Sequence, residues 1–180
     1  LVSDREAEDF LNPTELPDPK EHFPEIDTAI KRLILAKKHK QKVAICGDYD
    51  ADGMTSSALL MLALREFKAK ALIDIPNRIK EGYGLNENMV NELNKKGVKL
   101  IITVDNGISA IEAIKKANQF NIDIIITDHH KIPRNKPNIF ALVHPEMTPV
   151  NSPYKYLAGV GIAYMITKLI CMKKNIQLEN

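Results

Sequence analysis

Only two cysteines, Cys46 and Cys171, occur in the 180 residues, far apart and each inside an apolar stretch. No CxxC pair or Cys/His cluster accompanies them, which argues against a structural zinc site and a disulfide framework. Such sparse cysteine fits a reduced, cytoplasmic setting. Long hydrophobic runs are missing as well: none approaches the roughly 20 residues that span a bilayer. The opening segment, LVSDREAEDF, has no basic stretch leading into an apolar one and does not read as a signal peptide. Its first residue is leucine, so the expectation is a piece of a longer chain. A charge excess is lacking too. The net charge of +2 is too small to argue for nucleic acid or membrane by itself, and only a local basic groove could do so. What remains, 44% hydrophobic and 27% charged, is an ordinary globular composition with enough length for one sizeable core.

The first 24 residues are rich in acids and proline (LNPTELPDPKEHFP), which reads as an extended or turn-rich lead-in. Phe10, Leu11 and Leu16 suggest that it packs somewhere. From residue 25 the pattern changes, with Ile26, Ile30, Leu33 and Ile34 at helical spacing, followed by a charge run, KKHKQK, suited to a solvated helix end. A regular rhythm then sets in. Strands are expected at 42–46, 71–76, 99–105, 123–128 and 140–145. Helices are expected at 54–67, 86–97 and 109–120, with Ser109 as a cap, and after the glycines of YLAGVGIAYMITKLICMKK. Strands alternating with helices of this length predict an α/β fold with a mainly parallel five-stranded sheet and helices on both faces.

In such a sheet, ligands bind beyond the carboxyl ends of the strands. After the first strand come Asp48, Asp50 and Asp52; after the second, Pro76, Asn77 and Arg78. After the third come Asp105 and Asn106, and after the fourth Asp128, His129 and His130. Acids or imidazoles thus end three of the four clear strands on one edge. The stretch DYDADG satisfies the first six positions of a calcium-binding EF-hand loop, but the twelfth, where a bidentate glutamate belongs, is Leu59. A solvated acidic turn would explain the first motif alone, yet not its neighbours. Converging carboxylates repel one another and call for a cation. A set of carboxylates and imidazoles suits manganese or magnesium, with a lean to manganese. Bridging aspartates can hold two such ions about 3.5–4 Å apart, the arrangement of a phosphoesterase.

As they stand, these residues resemble the DHH phosphoesterase family and, within it, its RecJ branch of single-strand-specific DNA exonucleases. Asp128-His129-His130 is the family's signature triplet, GDYDADG is similar to its first motif and VDNGIS (104–109) to its second. PNRIKEGYGL (76–85), LAGVGIAY (157–164) and AEDFLNPTELPDP (7–19) are similar to segments of the RecJ branch. The resemblance implies that Asp50, Asp52, Asp105 and His129 are metal ligands, with Asp105 bridging two ions. It implies that His130 sits beside the substrate phosphate, making His130, Asp105 and Asp52 the catalytic set. Asp128 is expected to orient a neighbouring imidazole, and Asp48 to lie behind the ligands or on a metal-bound water. Arg78 could contact the DNA backbone or fix its own loop by a salt bridge, and Tyr83 could stack on a base or simply pack. Gly159 and Gly161 precede an apolar helix whose N-terminus could receive a phosphate.

The activity so implied is metal-dependent hydrolysis of single-stranded DNA, from the 5′ end, in repair and recombination. Helicase and single-strand-binding protein would be partners. The family carries a fourth motif with a further aspartate, and its RecJ branch has C-terminal DHH-associated and OB-like domains. Neither is found before the chain stops at NIQLEN, so the expectation is a DHH domain (25–180) ending short of the fourth motif and weak or inactive alone. Two other readings stay open: a DHH hydrolase of short oligonucleotides, cyclic dinucleotides or pyrophosphate, and a non-catalytic replication scaffold of the Cdc45 type.

Overall fold

The strands of this chain are nearly unbroken Val/Ile/Leu runs, and such runs are stable only with both faces covered. A computed structural model of the chain describes residues 3–12, 16–135 and 137–174. Its centre is a five-stranded sheet in the order β2-β1-β3-β4-β5, every pairing parallel, as the sequence predicts. The strands are β1 (Lys42–Cys46), β2 (Lys70–Asp74), β3 (Val98–Val104), β4 (Asp123–Thr127) and β5 (Ala141–Val143). The helices are α1 (Asp4–Leu11), α2 (Ile26–Lys38), α3 (Ala51–Glu66), α4 (Glu87–Lys95), α5 (Ile111–Gln119) and α6 (Gly159–Lys174).

Alternation along each strand divides the core in two. Val43, Ile45, Ile102, Val104 and Ile125 face α2, α3 and α6, joining Ile30, Leu60, Leu64 and Ile166. Ala44, Cys46, Ile101, Ile124 and Ile126 face α4 and α5, joining Val90, Leu93 and Ile114. Each fully buried Ile or Leu contributes on the order of 1.5–3 kcal/mol. Helices therefore lie on both faces, and no helix among the described residues is long and apolar enough to cross a membrane.

The departures from expectation have local causes. The lead-in is not simply extended: helix formers in DREAEDFL make α1, and a 3-10 turn at Pro19–Glu21 is capped by Asp18. Leu11 and Leu16 are exposed, so they do not anchor the lead-in, and the Phe10 side chain lies outside what is described. Pro19 and Phe23 are buried instead, and Tyr154 donates a hydrogen bond to the Pro17 carbonyl. Helix α3 starts three residues earlier than the apolar period suggests, because Asp50 caps it and the acidic turn itself becomes helical. Ser109 does not cap α5; Ala110 occupies that position, without a side-chain bond. Both glycines expected before α6 lie inside it.

The chain leaves β1 toward β2 and then crosses back to β3 on the other side of β1. Between β1 and β3 the winding reverses, and their carboxyl ends open a crevice. That switch point is where an open parallel sheet binds its ligand.

Candidate metal centre

The loop leaving β1 is shaped by its acids and by one glycine. Asp50 Oδ1 accepts from the Gly53 amide at 2.9 Å, closing the first turn of α3. At Gly53 a Cβ would stand 2.6–2.7 Å from the Asp48 backbone nitrogen, Cα and Cβ, so only glycine lets the helix press Asp48 into the crevice. Asp48 is buried, and its Oδ1 has no hydrogen-bond partner among the described residues. Beyond β3, Asp105 adopts a left-handed conformation (φ +62°) that Asp tolerates better than most side chains, and is held by its amide donating to the Thr127 carbonyl. Its Oδ1 is also sealed from solvent without a well-aligned hydrogen bond, its near neighbour being His129 Nε2 at 3.0 Å.

Two overlapping sets of ligand atoms result. Oxygens of Asp48, Asp50 and Asp105 lie within 4.8 Å of one another, and so do atoms of Asp105, His129 and His130. Asp105 is common to both. Burial, with the charges of Asp52 and Asp50 added, pushes the Asp105 carboxyl up to about 7. Asp48 is likewise raised above the usual carboxylate range, first by burial. Carboxylates that resist ionisation together, two of them with buried oxygens lacking a good donor, fit the needs of a divalent cation. The donor set of oxygens and imidazoles fits manganese or magnesium.

Asp52 is placed differently from its neighbours. Oδ2 and Oδ1 accept from the amides of Gly159 and Val160, both at 2.7 Å, so the carboxylate caps the N-terminus of α6. Its Oδ2 lies 3.6 Å from His129 Nε2, and each oxygen retains a further lone pair. The α6 terminus expected to receive a phosphate is thus already occupied by Asp52. Gly159 serves close packing, since a Cβ there would stand 2.7 Å from Asp105 Cβ, whereas at Gly161 it would meet Leu157.

Asp128 is buried and fully engaged. Oδ2 accepts from the Ile108 amide, and Oδ1 from the amides of His129 and His130 and from His130 Nδ1 at 2.7 Å. That last contact fixes the His130 ring. Burial pulls the His130 pKa down, but the hydrogen bond and charge of Asp128 outweigh it and raise the net value. His129 and His130 are both partly open to solvent.

The β2–α4 loop forms one wall. Tyr83 donates to the Asp105 carbonyl at 3.0 Å, and its hydroxyl lies 3.4 Å from the His130 ring nitrogens. Its own ionisation is pushed up by burial and by Asp128. The ring meets Tyr49 and His130 edge-on and stays about half exposed. Arg78 forms no ion pair among the described residues; its guanidinium lies 5.0 Å over the Tyr49 ring. Next to His130 opens a cleft of about 380 Å³, lined by Tyr83, Leu85, Ile108 and Ala110 among others.

Two residues at this edge carry structural duties that the motifs do not announce. Asn106, buried, donates to the carbonyls of Cys46 and Val104 and accepts from the Leu85 amide, tying the ends of β1 and β3 to the Tyr83 loop. Tyr49 links Arg78 to Tyr83. For Asn106 the available signal was an amide side chain directly after a buried strand, whereas Tyr49 carries none.

The DHH family N-terminal domain matches residues 42–180. The chain belongs to the DHH family. Among curated DHH relatives it is 40% identical over 158 residues to the single-stranded-DNA-specific exonuclease RecJ of Bacillus subtilis, covering 88% of this chain and 19% of that protein. It is 38% identical over 165 residues to that of Haemophilus influenzae, covering 91% and 27%. The chain thus spans about a fifth to a quarter of the length of these relatives. Among solved structures, an exonuclease RecJ bound to manganese matches with a TM-score of 0.79 at 28% identity, over 92% of this chain and 41% of that one. CDC45 from Entamoeba histolytica matches with a TM-score of 0.58 at 16% identity, over 86% of this chain and 30% of that one, which shows shared fold alone.

Proposed function

We propose that this chain holds the catalytic centre of a divalent-metal-dependent exonuclease that hydrolyses phosphodiester bonds in single-stranded DNA from the 5′ end. The observation that carries the reading is the convergence of Asp48, Asp50, Asp105, His129 and His130 at the β1/β3 switch point, with buried carboxylate oxygens left without good donors. The RecJ exonucleases it resembles supply the substrate class, and the manganese-bound structure among them supports manganese, with magnesium as the second choice.

Asp48, Asp50, Asp105 and His129 would hold the metal, with Asp52 able to reach it through the lone pairs that α6 leaves free. The bound cation would neutralise the carboxylates, polarise a phosphoryl oxygen and acidify a water. The chain's own residues do the positioning. Asp105, shared by both ligand sets, fixes the crevice between the strands. His130, held by Asp128 and biased toward its charged form, stabilises negative charge developing on the phosphate. Asp128 spends its lone pairs on that turn and stays off the substrate. Arg78, laid on Tyr49 at the rim, offers a cation to the incoming backbone, and the half-exposed Tyr83 offers a ring edge to a base. Buried Cys46 and Cys171, neither in a disulfide, agree with a reduced, cytoplasmic setting. A helicase or single-strand-binding protein that delivers free ends would suit such an enzyme.

The test is digestion of 5′- and 3′-labelled single strands, duplex DNA and dinucleotides with and without Mn²⁺. In the full-length protein, metal-dependent release from the 5′ end of single strands and from no other substrate is expected, with this chain alone weak or inactive. Preference for dinucleotides or pyrophosphate would move the substrate within the family. Partner binding unaffected by Asp105→Ala, with no hydrolysis, would favour the scaffold reading.

A further inference from the structure

His144 stands just beyond the end of β5 and is fully buried. The β4–β5 ladder ends at the Thr127–Val143 pair, and there β4 leaves the sheet to make the Asp128-His129-His130 turn. Pro145 follows His144 and restricts it to extended backbone (φ −145°, ψ 136°). From that position the imidazole takes over where the ladder stops. Its Nδ1 accepts from the Glu146 amide at 3.1 Å, so the proton must reside on Nε2. Nε2 in turn lies 2.7 Å from the His130 carbonyl, which can only accept. Both bonds require the same neutral tautomer.

We propose that His144 is a positioning residue for His130, fixing the backbone of the catalytic turn while Asp128 fixes the ring. This rests on the role given to His130 above. One residue is thereby held at two points: Asp128 Oδ1 grips His130 Nδ1 and the amide, and His144 Nε2 grips the carbonyl. With the second grip lost, the turn can rotate about the first, and the ring leaves its place between Asp128 and Tyr83. The ligand pair of Asp105 and His129 is not bonded to His144, so metal affinity is spared.

Two substitutions separate the bonds. In His144→Gln the amide nitrogen takes the place of Nε2 and keeps the donor to His130. In His144→Asn the side-chain oxygen takes the place of Nδ1, so the turn cap survives and the donor is lost. His130 ring-nitrogen shifts are read by NMR in the metal-free chain, and turnover of a single-stranded oligodeoxynucleotide is read with saturating Mn²⁺. His144→Gln is expected to keep both near wild type. His144→Asn is expected to move the His130 shifts and lower kcat about tenfold at unchanged KM, the size of one lost hydrogen bond. In a His130→Ala background the same change should cost nothing further. Equal behaviour of the Asn and Gln variants, or an Asn loss that persists without the His130 ring, overturns the proposal. Turnover is read on the full-length protein, and if that shows none the proposed activity fails, while the His130 shifts still decide the role of His144.

Discussion

Replacing Asp105 with asparagine should stabilise the metal-free fold and weaken the metal-bound one. The substitution is well suited to the site, because asparagine tolerates the left-handed backbone that Asp105 adopts. In the fold the Asp105 carboxyl is raised from 3.8 to about 7 by burial and by Asp52 and Asp50. An unfolded chain therefore releases this proton near pH 4 while the folded chain keeps it. Stability contributed by the protonated carboxyl is fully present below pH 4, falls as pH rises, and is gone above about 7. At 1.36 kcal/mol per unit the full penalty is about 4 kcal/mol, and solvent screening at the open crevice cuts it to about 2. For a chain of this size that corresponds to about 4–8 °C in Tm. Thermal unfolding with chelator should thus show Asp105→Asn about equal to wild type at pH 4 and several degrees more stable at pH 8.5. Metal at a hundredfold over Kd adds about 2.7 kcal/mol to wild type, so with saturating Mn²⁺ the order should reverse. A variant no more stable than wild type at pH 8.5 in chelator would refute the reasoning.

Other substitutions test other parts of the crevice. Asp50→Asn keeps the α3 cap and removes a ligand charge, so Tm in chelator should hold while Mn²⁺ affinity drops; Asp50→Ala should also cost about 1 kcal/mol on denaturant unfolding. Gly159→Ala forces a methyl to within 2.7 Å of Asp105 Cβ and should cost about 1–3 kcal/mol together with weaker metal binding. Arg78→Ala should reduce the slope of log affinity for single-stranded DNA against log salt by about 0.7, the share of one phosphate contact, and leave Mn²⁺ binding unchanged.

Much of the architecture was legible because the signals are strong: Val/Ile runs for β1, β3 and β4, and helices between them with the right periodicity. The candidate site was legible for the same reason, since parallel connectivity sends every strand end to one edge. What escaped was set by tertiary contact. The sequence does not show that α6 returns across the crevice with its first amides on Asp52, so neither that bond nor the closeness of Gly159 to Asp105 could be read from spacing. Asp48 was expected behind the ligands or on a metal-bound water; that it is buried with Oδ1 unpartnered among the described residues, where Gly53 lets α3 press against it, could not be read from spacing. The short α1 escaped through its proline-rich surroundings, which outweighed the helix formers within it. His144 looked like the end of a strand, and only the geometry of the neighbouring turn gives it a partner.

The most direct test of the metal centre is calorimetric titration of the chain with Mn²⁺ at pH 8, alongside Asp105→Ala. Saturable binding to wild type that disappears in the variant is the expected result. Binding of equal strength in both would contradict the placement of the metal at the β1/β3 crevice.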